Sequence, residues 1–328
     1  MSRAVFVTGG SGFVGAAAIR ALAGEGMAVR ALSRRPESDA LIRQAGGEPV
    51  RGALEDITPR HMAGAEIVIH AAARVQAWGR HADFARVNVE GTHRLLAAAR
   101  QAGVRRFIHI GTEAALFVGR PLCDIAEDDL PLALRSPFPY ARSKALAERL
   151  VRTADDPAAG LRTIVLRSRM IWGPGDRTLL PTLSRMVAAG RFVWVDHGRA
   201  RTNTTHIANL VHAIRLALTG GAGGRAYFIH DGEVQLLRDF LTRLAATRGL
   251  TLPARSVPRA VIEPLAAGVE TLWRLFAPRR EPPVSRMVVA LMATDCILRL
   301  DAARRELGYE PQVTVEEGLA ALARTGSA

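Results

Sequence analysis

Short apolar runs, each closed by glycine or a polar turn and followed by a helical pattern, recur along the chain. AVFVT (4–8) leads into SGFVGAAAIRALAGEG (11–26), an alanine-rich helix ended by glycine. AVRALS (28–33) follows, then a polar helix to about Gly46, then the strand AEIVIHAAA (65–73). A long helix is predicted from about Asp83 to Ala102, and Gly103 stops it before the strand VRRFIHIGT (104–112). A loop rich in proline and acid precedes a helix carrying Tyr140 and Lys144, and RTIVLRS (162–168) is the next strand.

Strands that are apolar almost throughout and alternate with helices predict an α/β fold, a parallel sheet wrapped by helices on both faces. The last third differs. YFIHDGE (227–233) reads as a late strand, and 234–328 is mainly helical, including VIEPLAAGVETLWRLF (261–276). Glu263, Glu270 and Arg274 interrupt that stretch, so no membrane span is expected, and a helix roofing a cleft is the preferred reading. The predicted organisation is a dinucleotide domain over 1–175 with a return segment at about 204–230. A smaller, mainly helical substrate domain is formed by 176–203 and 231–328.

The turn after the first strand carries the first chemistry. VTGGSGFVG places Gly9, Gly12 and Gly15 between a strand and the mouth of a helix, with Phe13 and Val14 in its first turn. Glycine lets the backbone turn tightly and approach a pyrophosphate, while the helix N-terminus offers unpaired N–H groups to the anion. The end of the second strand selects the dinucleotide. An acid there would bind the adenosine ribose hydroxyls, but the chain has Ser33, Arg34 and Arg35, and no carboxylate before Glu37. A hydroxyl and two guanidiniums suit a 2′-phosphate, so NADP(H) is favoured over NAD(H).

Charge changes the picture little. Lys plus Arg number 44 against 31 acids, a formal net charge of +13, but the arginines are spread along the whole chain. A nucleic-acid footprint would gather them on one face, so no nucleic-acid partner is expected. Two cysteines make no disulfide framework, no Cys/His cluster has metal spacing, and a cytoplasmic location is the default.

One basic residue stands apart: Lys144 is the only lysine. It follows Tyr140 by four residues in PYARSKALAE (139–148), so the two share a helix face. A phenol of ordinary pKa about 10 is a poor base at neutral pH. A nearby ammonium would lower that value, and a compact amine can hold ribose hydroxyls and lose a proton, which guanidinium does not.

Together these residues resemble the extended short-chain dehydrogenase/reductase superfamily, the NAD-dependent epimerases and dehydratases, over about 4–235. The motifs are TGGSGFVG, HAAA (70–73), VNVEGT (87–92), YARSK and GPGD (173–176). The resemblance implies a Rossmann-type fold with Tyr140 as general acid/base, Lys144 tuning it, and Thr112 donating to the substrate oxygen. It also implies that Leu54, Ala71, Ala72, Ala73 and Asn88 lie along the cofactor, with Gly52-Ala53-Leu54 where many relatives have GDL and its Asp near adenine. Relatives often pair as homodimers through the helices near 83–102 and 140–153.

Within that family the chemistry diverges. Dehydratase relatives carry an Asp-Glu pair after the Thr, whereas Glu113 is followed by Ala114. Epimerases place an asparagine where this chain has Met170, and a tyrosine where it has Trp172. The chain looks closest to the 3β-hydroxysteroid dehydrogenase-like branch, whose substrates are bulky and apolar. The expected activity is hydride exchange between NADP(H) and a secondary alcohol or ketone, with Trp78, Glu113, Met170 and Trp172 at the substrate. The alternatives are a nucleotide-sugar epimerase/dehydratase and a non-catalytic NADP-binding sensor.

Overall fold

A computed structural model describes residues 4–277 and 280–326. Its centre is a seven-stranded parallel sheet. The strands are β1 (Ala4–Thr8), β2 (Ala28–Ser33), β3 (Glu48–Arg51), β4 (Ile67–His70) and β5 (Arg106–Thr112), continued by Arg162–Ser168 and Arg225–Ile229. Across the sheet the order is β3, β2, β1, β4, β5, Arg162–Ser168, Arg225–Ile229. The order reverses between β1 and β4, and in such sheets the crevice above that point, at the carboxyl ends of the strands, takes ligands.

The period of two along each strand builds a core on both faces. Val5, Val7, Ile67, Ile69, Ile108 and Ile110 pack to one side under α1 (Phe13–Gly24) and the helix Ile207–Ala217. Phe6, Val68, Phe107 and Val165 pack to the other. α2 (Pro36–Gln44) joins the first side through Ile42, and the other side takes a long helical segment. It runs from α3 (His81–Phe84) through a π-helical stretch, Ala85–Glu90, into α4 (Gly91–Gln101). Next comes α5 (Pro139–Thr153), which starts on a proline, a residue already shaped for a first turn.

β3 has no counterpart in the sequence reading. Its four residues, EPVR, sit at the sheet edge, where charge and proline are tolerated. A second core gathers Trp172, Leu183, Trp194, Phe240, Leu244 and Leu319 around the C-terminal helices. Buried Asp231 ties it to the sheet, accepting from Trp172 Nε1 (3.0 Å), Thr204 Oγ1 (2.8 Å), His206 N (2.6 Å) and Asn209 Nδ2 (2.8 Å). Among the described residues no helix is long and apolar enough to cross a membrane.

Candidate active site

The glycine turn is shaped by what it excludes. A Cβ at Gly15 would lie 2.1 Å from the Gly9 carbonyl oxygen, so the helix packs directly on the turn. Gly9 has φ +74°, and a Cβ there would lie 2.7 Å from Ala72 N and 2.8 Å from Ala71 C. The turn after β4 therefore closes on the turn after β1, backbone against backbone. α1 starts at Gly12 with no side-chain cap, which leaves its first-turn N–H groups, those of Phe13 and Val14 among them, for an anion. This cradle fits the pyrophosphate of a dinucleotide.

At the end of β2, Ser33 is buried with its hydroxyl donating to Arg35 O at 3.2 Å, while Arg34 and Arg35 are exposed. The nearby Arg51 is already paired with Asp39. Two free-standing guanidiniums thus flank the place where an adenosine ribose would end. Leu54, expected along the cofactor, is buried in the core against Gly91 instead.

Beneath the crevice runs a buried polar chain whose proton directions follow from its donors. Thr92 Oγ1 donates to Asn88 O (2.6 Å), so it accepts from His70 Nε2 (2.9 Å). His70 Nδ1 then accepts from Thr8 Oγ1 (2.7 Å), and Thr8 receives Ala72 N–H (3.3 Å). Burial, with Lys144 adding to it, pushes the His70 imidazole down to about 3, consistent with a neutral ring. These contacts hold the Ala71–Ala73 turn in place.

Lys144 is buried and donates to Ile110 O (2.8 Å) and His109 Nε2 (3.2 Å). Burial pushes its ammonium down to about 8, with Glu148 opposing the shift. Glu148 is itself clamped by buried Arg167 at 2.5–3.2 Å, which fixes the middle of α5 against the sheet. Two residues beyond Ile110, at the end of β5, Thr112 Oγ1 donates to Glu113 Oε2 (2.6 Å), and the Tyr140 phenol lies beside both residues. Glu113 in turn is paired with Arg169 (2.6 Å), and both are buried. Met170, with φ +42°, makes the turn that follows Arg169.

This corrects one expectation. The phenol is pushed up, not down, because it is buried and Glu113 stands beside it. Among the described residues no hydrogen bond joins Tyr140 to Lys144. The shared helix face brings both to the end of β5, one at Thr112 and the other at the Ile110 carbonyl. Thr112, expected to donate to substrate, donates to Glu113.

The residues expected at the substrate separate. Trp78 lines a cavity of about 370 Å³ with Arg74, Gln76, Gly79, Arg80, Asp83 and Glu281. Met170 is half-buried beside the second core. Trp172 is fully buried there and cannot touch a ligand, and Glu113 serves the Thr112–Arg169 network. The Arg259–Phe276 helix does reach the 74–84 loop, where Arg274 stacks over the Trp78 ring at 5.6 Å. Asn88, in the π-helical stretch, holds that loop through Arg74 N (2.7 Å) and Arg74 O (3.1 Å), and donates to Ser143 Oγ (2.9 Å). Sequence reasoning missed His109, Arg169 and Ser143. The signal for the first two was a polar residue breaking an apolar strand or standing at its end.

A glycine cradle at the switch point, with tyrosine and lysine at the end of the fifth strand, defines a nicotinamide-dinucleotide-binding oxidoreductase. Residues 5–229 match the NAD dependent epimerase/dehydratase family, and the chain belongs to it. It is 42% identical over 325 residues to the 4-hydroxy-2-methyl-3-oxo-4-farnesyl-3,4-dihydroquinoline-1-oxide ketoreductase of Stigmatella aurantiaca, covering 98% of this chain and 96% of that protein. It is 35% identical to the 2-alkyl-3-oxoalkanoate reductase of Stenotrophomonas maltophilia (strain K279a), covering 99% of each. It is 31% identical to a 3-beta-hydroxysteroid dehydrogenase of Mycolicibacterium neoaurum, covering 96% of this chain and 89% of that one. Among solved structures, that of gox2253 superimposes with a TM-score of 0.77 at 28% identity, covering 99% and 98% of the two chains.

Proposed function

We propose that this protein is an NADP(H)-dependent ketoreductase acting on a bulky, apolar ketone, and that reduction is its working direction. The observation that carries the reading is the Tyr140 phenol, buried beside Thr112 and Glu113 at the end of β5, and the direction is supported by two of the relatives above, a ketoreductase and a reductase. A protonated phenol is a proton donor, as a ketone oxygen receiving hydride requires. The bound nicotinamide dinucleotide supplies that hydride. Tyr140 delivers the proton to the developing alkoxide. Thr112, its hydroxyl held by Glu113, stands beside the phenol at the end of β5. The Lys144 ammonium, fixed by Ile110 O, can hold ribose hydroxyls. Gly9, Gly12 and Gly15 with the first turn of α1 hold the pyrophosphate, and Ser33, Arg34 and Arg35 the 2′-phosphate.

The names of the ketoreductase of Stigmatella aurantiaca and the reductase of Stenotrophomonas maltophilia support the substrate class. Both carry a ketone at position 3, an alkyl group at position 2, and an oxygen at position 1 that bears negative charge, as an N-oxide in one and a carboxylate in the other. The reading is tested by following NADPH consumption with 2-alkyl-3-oxoalkanoates and 3-oxosteroids, and by chromatography of UDP-sugars incubated with the protein, since their epimerisation or dehydration consumes no NADPH. Turnover with the first group is expected. Turnover with UDP-sugars alone would replace the reading by an epimerase/dehydratase one.

A further inference from the structure

We infer that Arg74 is the recognition point for a negatively charged oxygen on the substrate, a carboxylate or N-oxide set close to the ketone. The inference rests on the ketoreductase reading and names the polar feature of its substrate.

Arg74 follows directly on the Ala71–Ala73 turn. Its backbone is held at both ends by Asn88 (2.7 and 3.1 Å), so its stem leaves the loop from a fixed point. The guanidinium lies over the Phe84 ring at 5.3 Å, and Phe84 meets the Tyr140 ring edge-on at 6.4 Å. One aromatic ring therefore separates this cation from the proton donor.

The guanidinium is half-buried on the cavity wall and, among the described residues, makes no hydrogen bond and no ion pair. Its Nε is buried with no acceptor, as is the Nε1 of Trp78 on the same wall. The acid that could neutralise it, Asp83, is instead taken by Arg80 through Nε and Nη2, each at 3.3 Å. A ring face attracts a cation but accepts none of its fixed, fork-shaped donors. An arginine presented this way, with the local acid diverted to its neighbour, is built to receive a planar or single oxyanion. Glu281 at the rim would repel a second negative charge, which suits a substrate with one.

The test uses the full chain with NADPH. Rates are compared for a freshly saponified 2-alkyl-3-oxodecanoate and its methyl ester, in the native protein and in Arg74→Met, which keeps the apolar stem over Phe84. The acid should exceed the ester in kcat/KM by at least about tenfold, and Arg74→Met should erase that ratio through the KM of the acid. Quinoline N-oxide and quinoline, added as inhibitors of ester reduction, separate the two oxyanion sources. Tighter inhibition by the N-oxide that Arg74→Met abolishes assigns the site to N-oxides as well, and equal inhibition confines it to carboxylates. An acid-to-ester ratio that survives Arg74→Met overturns the inference. If neither ketone is reduced, the ketoreductase reading fails on its own. Calorimetric titration of the NADPH-loaded protein with the matching 3-hydroxy acid and its ester then decides Arg74 separately. Binding that favours the acid and needs Arg74 supports the inference, and equal binding overturns it.

Discussion

Lys144 Nζ sits 2.8 Å from the carbonyl oxygen of Ile110, anchored to the end of β5 and not to the phenol one helical turn away. An amine with three rotatable donors can hold that carbonyl and His109 and still turn a proton toward a ribose. A guanidinium in the same buried space would overpack it and present its donors in a fixed fork. Lys144→Arg is therefore expected to lower kcat/KM for ketone reduction by about a hundredfold or more, although the formal charge is kept. Steady-state kinetics beside the native protein checks this.

The same burial sets a pH dependence. The ordinary lysine value is 10.5, and in the folded chain it is pushed down to about 8. Between these values the unfolded chain holds a proton that the folded chain has released, so this group makes stability rise with pH from about 8 to 10.5. Below about 8 both states are charged, and the folded state bears a full cost on the order of 1–3 kcal/mol. Lys144→Met should raise the Tm of the cofactor-free protein at pH 7, and the gain should shrink as pH passes through that window. Differential scanning fluorimetry across pH 6–11 measures it. Native kcat/KM should conversely decline above about pH 8 as the ammonium is lost.

Glu113 and Arg169 form a buried pair, and the Thr112 hydroxyl depends on it. Glu113→Gln leaves the guanidinium uncompensated, so a loss of about 3–5 kcal/mol in urea unfolding is expected. Removing both charges, in Glu113→Gln with Arg169→Met, should recover much of that stability, because no lone charge stays buried. A double variant less stable than either single one would contradict the pairing.

In the proposed reading, exposed Arg34 and Arg35 carry the choice of dinucleotide. Replacing both by alanine should weaken NADPH binding by about 10–100-fold, the cost of one or two charge-assisted hydrogen bonds, while NADH binding stays within about twofold. Fluorescence titration with each cofactor reads this directly.

Much of this was legible in the sequence, and the misses have physical causes. The glycine turn, six of the seven strands of the main sheet and the Tyr140–Lys144 helix each rest on a local pattern, so periodicity and spacing found them. β3 was missed because an edge strand such as EPVR has no apolar run to betray it. Spacing four apart put Tyr140 and Lys144 on one face but could not say where a flexible stem would end, so the direction of the phenol's shift was missed. Trp172 was placed at the substrate because an aromatic in a loop reads the same in a cleft wall as in a core. Only the approach of Asp231, 59 residues away in sequence, decides between them.

Tyr140→Phe separates chemistry from binding. Loss of the proton donor should cut turnover by about 10²–10⁴-fold, with the NADPH dissociation constant nearly unchanged. An equal fall in both would make Tyr140 a binding residue.

The account turns on hydride moving to a ketone while Tyr140 gives the proton. Native protein incubated with a 2-alkyl-3-oxo substrate and NADPH deuterated at nicotinamide C4, on the transferred face, tests this by mass spectrometry of the product. The expected result is an alcohol with one deuterium on the carbinol carbon, formed in step with NADP⁺. An alcohol without deuterium, or NADP⁺ formed with no alcohol, would contradict it.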